Sequence, residues 1–452
     1  MGSQTNYLGL EKPDTDDFYD VSVTNNNMTK IDQELASNNR AELDIYKQLK
    51  EQNEYIKNLE QKLTSATSKN VIYGFHIDGE YFTHVPDKMV TYLADAVGMT
   101  PAKMDTKNDK FDYGSWKDAF FMPRPCMLKY DGTVDYYLDE DDYAKIPYSS
   151  TKSDISNLGY EGNAMMEWGR DGRLIWIKVV PDANPVSGSV YIADYQVDET
   201  YHAWSFVNAK GKLSNHFYTP IYRPCVDTEG RLRSMSVDNR KAMTVSEEIK
   251  AAELNNVTDK KMWYTETLSD IMLLKFLLIL ISKTTDLCGA FGYDPGGKPA
   301  NGELNAKGLF YGSDDSVVKA FGMERIWGGA KRYAGHILDH GVQKIKMTCA
   351  DNDGATGGYD PEGANYIDIE VPLESTERIS YITEMKFNEY GMFVKKAEKD
   401  VSNYRYYCSE LMADATKKAY AAVSGEGSIF ATDLTNEISI YNGDSGISCR
   451  PY

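Results

Sequence analysis

From Met28 to Ala66 the apolar residues keep a seven-residue period, which limits the chain's architecture more than any other stretch does. One seam position carries Met28, Leu35, Glu42, Leu49, Ile56 and Leu63, and the other carries Ile31, Asn38, Ile45, Gln52, Leu59 and Ala66. Steps of three and four average 3.5 residues, so the apolar seam stays continuous only if helices supercoil around one another. Leucine at one seam position with isoleucine at the other favours three or four strands over two. The reading is a parallel, trimeric coiled coil over 28–68, whose heptads from Met28 to Ala66 make a rod about 58 Å long at ~1.5 Å per residue. Polar Asn38, Glu42 and Gln52 weaken the seam while fixing its register. Oligomerisation is assigned to Met28, Ile31, Leu35, Ile45, Leu49, Ile56, Leu59 and Leu63. The alternative is one amphipathic helix packed on a globular body.

Ahead of the heptads stands "LGLEKPDTDDFYDVSVTNNNMTKID", acidic, rich in Asn and Asp and poor in apolar residues. Residues 1–27 therefore read as an extended segment that orders on a partner. Behind the heptads, after "TSATSKN", the texture changes. Across 69–452 short β-rich runs alternate with turn signals, as in "CMLKYDGTVDYYL" and "RDGRLIWIKVVP", where Asp-Gly pairs mark hairpins. Helical patterns are fewer: Pro86 to Val97, Val245 to Leu254, Thr265 to Ser282 and Ser409 to Val423. No fixed-period repeat is present, which counts against solenoids and propellers. The class is α+β: an adaptor, a stalk and one large β-rich head. "IMLLKFLLILI", Ile271 to Ile281, falls short of the roughly 20 residues that span a bilayer, and Lys275 interrupts it. A buried helix against a sheet is expected there, with no membrane insertion. No basic region followed by an apolar run marks a secretory signal.

A formal charge of −19 excludes nucleic acid as a partner, because phosphates need clustered Lys and Arg. The 33 tyrosines suit strands and also binding surfaces. Cysteines 126, 225, 288, 349, 408 and 449 show no CxxC spacing and read as small buried residues. "GYDPGGKP" (292–299) resembles a phosphate loop, but Pro299 stands where Ser or Thr should bind magnesium. "GDSG" (443–446) resembles a protease serine motif, yet the chain after Ser445 is too short for the strands that would follow. It reads as a turn between the last two strands. "HILDH" could place His336 and His340 on one helical face, but the glutamate of a zinc motif is absent and structural histidines are expected. No catalytic residue, metal ligand or cofactor is therefore assigned. The one metal alternative is an irregular calcium loop at "DNDGATGGYDPEG", through Asp351, Asp353, Asp360 and Glu362, with a solvated turn as the default.

With these stretches laid out, the chain resembles the tail-fibre and receptor-binding proteins of bacteriophages. The opening segment is similar to the one that docks such fibres on the tail. "GFHIDG", "VTYLADAVGMTPAKMD", "GSWKDAFFMPRPCMLKYDGTVDYYLD" and "GNAMMEWG" resemble phage structural proteins whose heads end in a C-type-lectin-like fold. These include the retroelement-diversified variable proteins. "FGMERIWGGAKRYAGHI" and "FATDLTNEISIYNGDSGISCRPY" resemble that fold's Trp-Gly segment and last strands. The resemblance implies a virion attachment segment at 1–27, a trimeric stalk at 28–68 and a C-type-lectin-like receptor-binding head at 69–452. It implies a non-enzymatic homotrimer in the virion tail, acting outside the host cell. Its partners would be a tail or baseplate protein at the N-terminus and a host cell-surface glycan or protein at the head. The receptor face would draw on Tyr404, Arg405, Tyr406, Tyr407, Tyr420, Phe430, Asp433 and Tyr441. Two alternatives stand beside it: a capsid-attached head fibre with the same head, and a glycan-cleaving tailspike using paired carboxylates such as those in "YLDEDDY".

Overall fold

A computed structural model describes residues 3–5, 8, 10–12, 21–67, 70–80, 86–105, 107–238, 243, 245–257, 259–292, 301–312, 318–324, 326–327, 330–334, 336–339, 344–347, 367–372, 379–398, 410–412, 421–424, 432–433 and 443–452. Two compact units divide the chain, Met1–Lys69 and Asn70–Tyr452.

In the first unit, Val21–Thr67 forms one helix of 47 residues, α1. No Gly or Pro interrupts it, and Ala, Leu, Lys, Glu and Gln are all strong helix formers. At ~1.5 Å per residue it is about 70 Å long. The helix starts inside the segment expected to be extended, so residues 21–27 are helical. The rest of that segment is not wholly extended either, because Ser3–Gln4 pairs antiparallel with Glu11–Lys12. Asn27 joins the two pieces: its side chain accepts from the Glu11 N–H and donates to the Glu11 carbonyl, each at 3.0 Å. An Asn engaged in this way no longer competes for its own backbone, which lets the Asn-rich run stay helical. Of the heptad residues, Met28, Leu35, Ile45, Leu49 and Ile56 are exposed, from 47% for Leu49 to 63% for Ile45. Ile31 is half-buried. The side chains of Leu59 and Leu63 lie outside the described set.

The second unit mixes helices with β-sheets and is β-rich. A four-stranded antiparallel sheet has the order Trp176–Pro181, Gly188–Ala193, Ile72–Ile77, Val90–Ala94. Its last strand overturns the helix expected from Pro86 to Val97. Only the turn Pro86–Met89, α2, is helical, and Val90–Ala94 pairs with Ile72–Ile77. Val90 and Tyr92 are buried while Thr91 is exposed, the period-2 signature of a strand. Apolar residues at positions 90, 93, 94 and 97 imitated a helical face, but β-branched and aromatic side chains found a sheet partner.

Beside it, a six-stranded antiparallel sheet carries the order Trp263–Thr265, Ile447–Cys449, Phe217–Pro220, Gly162–Trp168, Arg124–Lys129, Val134–Tyr137. The Arg124–Lys129 and Val134–Tyr137 pair is the hairpin that "YDGT" announced. All seven residues of Gly162–Trp168 are buried, because both faces of this sheet are covered. Met127, Ala164, Met166, Trp168 and Phe217 enter the larger core. Cys126, Met165, Tyr218 and Cys449 enter a second cluster with the hairpin Pro224–Val226/Leu232–Ser234 and the helix Val245–Glu253, α3.

The apolar run forms α4, Leu268–Ser282, and every one of its residues is buried. A helix apolar on all sides has no solvent face to offer, so enclosure is its stable state. The Asp270 carboxylate accepts from the Thr267 N–H at 3.4 Å at its start, and the Arg450 guanidinium meets Asp270 at 2.9 Å. Lys283 ends it in the left-handed region, its N–H reaching the Ile279 carbonyl at 2.8 Å. Among the described residues, no helix is long and apolar enough to cross a membrane.

A seven-stranded sheet runs Gly391–Glu398, Ile379–Asn388, Glu410–Met412, Thr432–Asp433, Ala421–Ser424, Ala330–Ala334, Gly443–Ser445. Glu410–Met412 and Ala421–Ser424 are therefore strands, not the ends of a helix from Ser409 to Val423. Residues 413–420 between them lie outside the described set.

Candidate functional site

Most of the residues that sequence reasoning assigned to a receptor face fall outside the described set: Tyr404, Arg405, Tyr406, Tyr407, Tyr420, Phe430 and Tyr441. Asp433 is placed by its backbone, opposite Val423 on one side and Met412 on the other. The calcium alternative at Asp351, Asp353, Asp360 and Glu362 and the loop Tyr293 to Pro299 also lie outside. His336 begins the strand His336–Asp339, so "HILDH" is not helical; His340 is outside the set. The "GDSG" run is a strand, Gly443–Ser445, linked through Gly446 to the strand Ile447–Cys449.

Four cysteines are described, Cys126, Cys225, Cys288 and Cys449, and none of them is in a disulfide. Burial pushes the Cys126 and Cys449 thiols well above the ordinary range, Cys225 up to about 11 and Cys288 up to about 12. Thiols held protonated at neutral pH are poor nucleophiles, which fits the packing role expected of them. Cys349 and Cys408 are outside the described set. Among the described residues, no three His, Cys, Asp or Glu side chains gather as metal ligands would.

The structure brings together a cleft that no motif announced. One wall is the end of Arg124–Lys129 and its turn, Lys129, Tyr130 and Asp131. A second is the stretch Leu158–Glu161, and a third is the tip of the Pro224–Val226/Leu232–Ser234 hairpin, Asp227–Glu229 with Arg231. Val257, just beyond α3, completes the outline of this half-open cleft, whose volume is about 450 Å³.

Each wall is held from beneath. Asp131 accepts from the Thr133 N–H at 2.9 Å and the Thr133 hydroxyl at 2.6 Å, which holds its carboxyl below the usual range. Asp227 accepts from the N–H groups of Glu229 (3.0 Å) and Arg231 (2.9 Å), so the hairpin tip is a closed turn. Arg233, 1% exposed, ties the walls to one another. Its guanidinium donates to Asp227 at 3.0 Å, to Asn163 at 3.1 Å, and to the carbonyls of Leu158 (3.3 Å), Tyr160 (2.8 Å) and Gly162. Arg231 and Arg233 lie over the Tyr130 ring at 5.1 and 5.3 Å. The visible sequence signal was slight: "RLR" puts two arginines two positions apart at the start of a strand, next to the acidic turn "DTEG".

Two further buried clusters are locks. The Glu167 carboxylate receives Arg124 at 2.7 Å and the hydroxyls of Tyr137 and Tyr218 at 3.1 Å each. Burial, with Glu167 beside them, raises both tyrosines above their ordinary range. Three strands of the six-stranded sheet and the end of a fourth are thus cross-linked through one side chain. Lys319 sits 3.7 Å over the Tyr143 ring and donates to the Leu304 carbonyl at 2.8 Å. Glu324, its cross-strand partner, accepts from the N–H groups of Gly302 and Leu304 at 2.8 and 3.1 Å. Burial lowers the Lys319 pKa and raises that of Glu324, as desolvation requires for either charge. The pair pins the stretch 301–312 to the body. No protein-family model matches the chain, and no curated protein matches it.

Proposed function

We propose that the protein is a non-enzymatic attachment protein of a bacteriophage virion: a homotrimeric fibre whose N-terminal segment docks on a tail or baseplate protein and whose C-type-lectin-like head engages a glycan or protein on the host surface. The observation that supports it most is α1. Its heptad residues Met28, Leu35, Ile45, Leu49 and Ile56 stand half exposed along a single helix about 70 Å long. Large apolar side chains spaced this way are stabilised when copies of the helix bury them in a common seam. A helix of that length followed in the chain by a large β-rich unit suits a spacer that carries a binding module. The fibre acts outside the host cell, where the acidic chain needs no nucleic-acid partner.

The test is the mass of the full-length protein in solution and its attachment to host cells. A trimer by light scattering is expected, and Leu49→Asp with Ile56→Asp should reduce it to monomers by burying carboxylates in the seam. The monomeric variant should attach far more weakly, because three weak sites on one fibre act together through avidity. A monomeric or dimeric wild-type protein would refute the reading. Release of new reducing ends from host-envelope polysaccharide would instead make the protein a tailspike.

A further inference from the structure

We propose that the cleft between Tyr160, Asp131 and Arg231 is a binding site for a neutral saccharide. The inference does not depend on the fibre reading, since the whole site lies between residues 129 and 257.

The site is preformed. Its walls come from three separate stretches, and Arg233 binds two of them through carbonyls on one side and Asp227 on the other. Burying a guanidinium costs free energy unless its donors are matched, and here they meet acceptors in both walls. A cleft held in one geometry loses little entropy when it takes a ligand. Its volume, about 450 Å³, lies within the ~300–1,000 Å³ typical of small-molecule sites.

The lining selects the ligand class. Asp131 and Glu161 supply acceptors, while Lys129, paired with Asp135, and Arg231, paired with Asp227 and Glu229, supply their remaining N–H donors. Tyr160, Leu158 and Val257 add apolar surface, and the Tyr160 hydroxyl is turned away to Asp135 at 3.3 Å. A phosphate or sulfate would face more acidic than basic side chains on a chain of net charge −19. An ammonium ligand would find Asp227 and Glu229 already paired with Arg231 and Asp131 already bonded to Thr133. A wholly apolar ligand would desolvate the charged rim with nothing in return. A neutral sugar avoids each of these costs: every hydroxyl both donates and accepts, and its C–H face can lie on the Tyr160 ring.

The test applies full-length protein to an array of neutral and anionic oligosaccharides. Wild-type protein should retain at least one neutral oligosaccharide, with a Kd that Glu161→Ala and Tyr160→Ala each weaken about tenfold. Tyr160→Phe, which keeps the ring, should stay near wild type, as should Tyr148→Ala, an exposed residue that does not line the cleft. Unchanged melting of Glu161→Ala, an exposed position, separates lost contact from lost fold. The proposal is overturned if no neutral oligosaccharide is retained, if only sulfated or phosphorylated ones are, or if the cleft substitutions leave retention unchanged.

Discussion

Lys275 places an ammonium inside a helix that has no polar face. Burial lowers its pKa from 10.5 to about 8. At pH 7 the group is charged in both the folded and the unfolded chain, so the full cost of burying the charge is present. Between about 8 and 10.5 the folded protein has released the proton while the unfolded chain still holds it. Lys275 therefore contributes a gain in stability from about pH 8 toward 10, opposed from about pH 9 by the four described thiols and then by the buried tyrosines, which stay protonated while the unfolded chain ionises. Lys275→Met keeps length and helix propensity without the charge. It should stabilise the fold at pH 7 by up to about 3 kcal/mol, since a pKa unit is worth ~1.4 kcal/mol. Urea denaturation of both proteins at pH 7, 8, 9 and 10 checks this: the variant's advantage in midpoint should be largest at pH 7 and shrink from pH 8 to 10. A variant less stable at pH 7 would mean that the ammonium's own interactions outweigh its desolvation.

Elements were legible in proportion to how far their pattern excluded alternatives. Apolarity on all sides of Ile271 to Ile281 allowed only a buried helix, and α4 is one. "YDGT" between two alternating runs allowed only a hairpin. Val90 to Val97 satisfied a helical spacing and a strand alternation together, and pairing with Ile72–Ile77 decided for the strand. Around Asp433 the short strands Glu410–Met412, Ala421–Ser424 and Thr432–Asp433 are neighbours within one sheet. In sequence Tyr420 stands between Met412 and Ala421 and Arg405 stands ahead of Glu410, and both lie outside the described set. Replacing Arg405, Tyr420 and Asp433 with Ala should leave the melting temperature unchanged and lower attachment to host cells at least tenfold. Undiminished attachment by a folded triple variant would remove this cluster from the receptor site.

At the scale of the whole molecule, the proposed attachment segment and the proposed stalk share residues. Helix α1 begins at Val21, and Asn27 is bonded to Glu11 on the strand ahead of it. A truncation that stops at residue 27 would remove two turns of helix as well as the proposed anchor. Deleting residues 1–20 is the cleaner cut. It should leave a folded trimer by light scattering and circular dichroism that no longer incorporates into particles. Normal incorporation of that truncation would show that the anchor lies elsewhere.

The sequence by itself determined what is periodic or one-sided: the long helix, the buried apolar helix, the hairpin at Asp131–Gly132 and the α+β class. These follow from local spacing, because a few neighbouring residues state which face must leave water. Tertiary structure alone decided what depends on residues far apart in the chain. Val90–Ala94 became a strand because Ile72–Ile77 was there to pair with it. The cleft exists because Arg233 meets carbonyls of residues 158–162, some 70 positions earlier, and Asp227 on its own hairpin. A buried arginine needs several acceptors converging on one point, and no window of sequence shows which stretches will supply them.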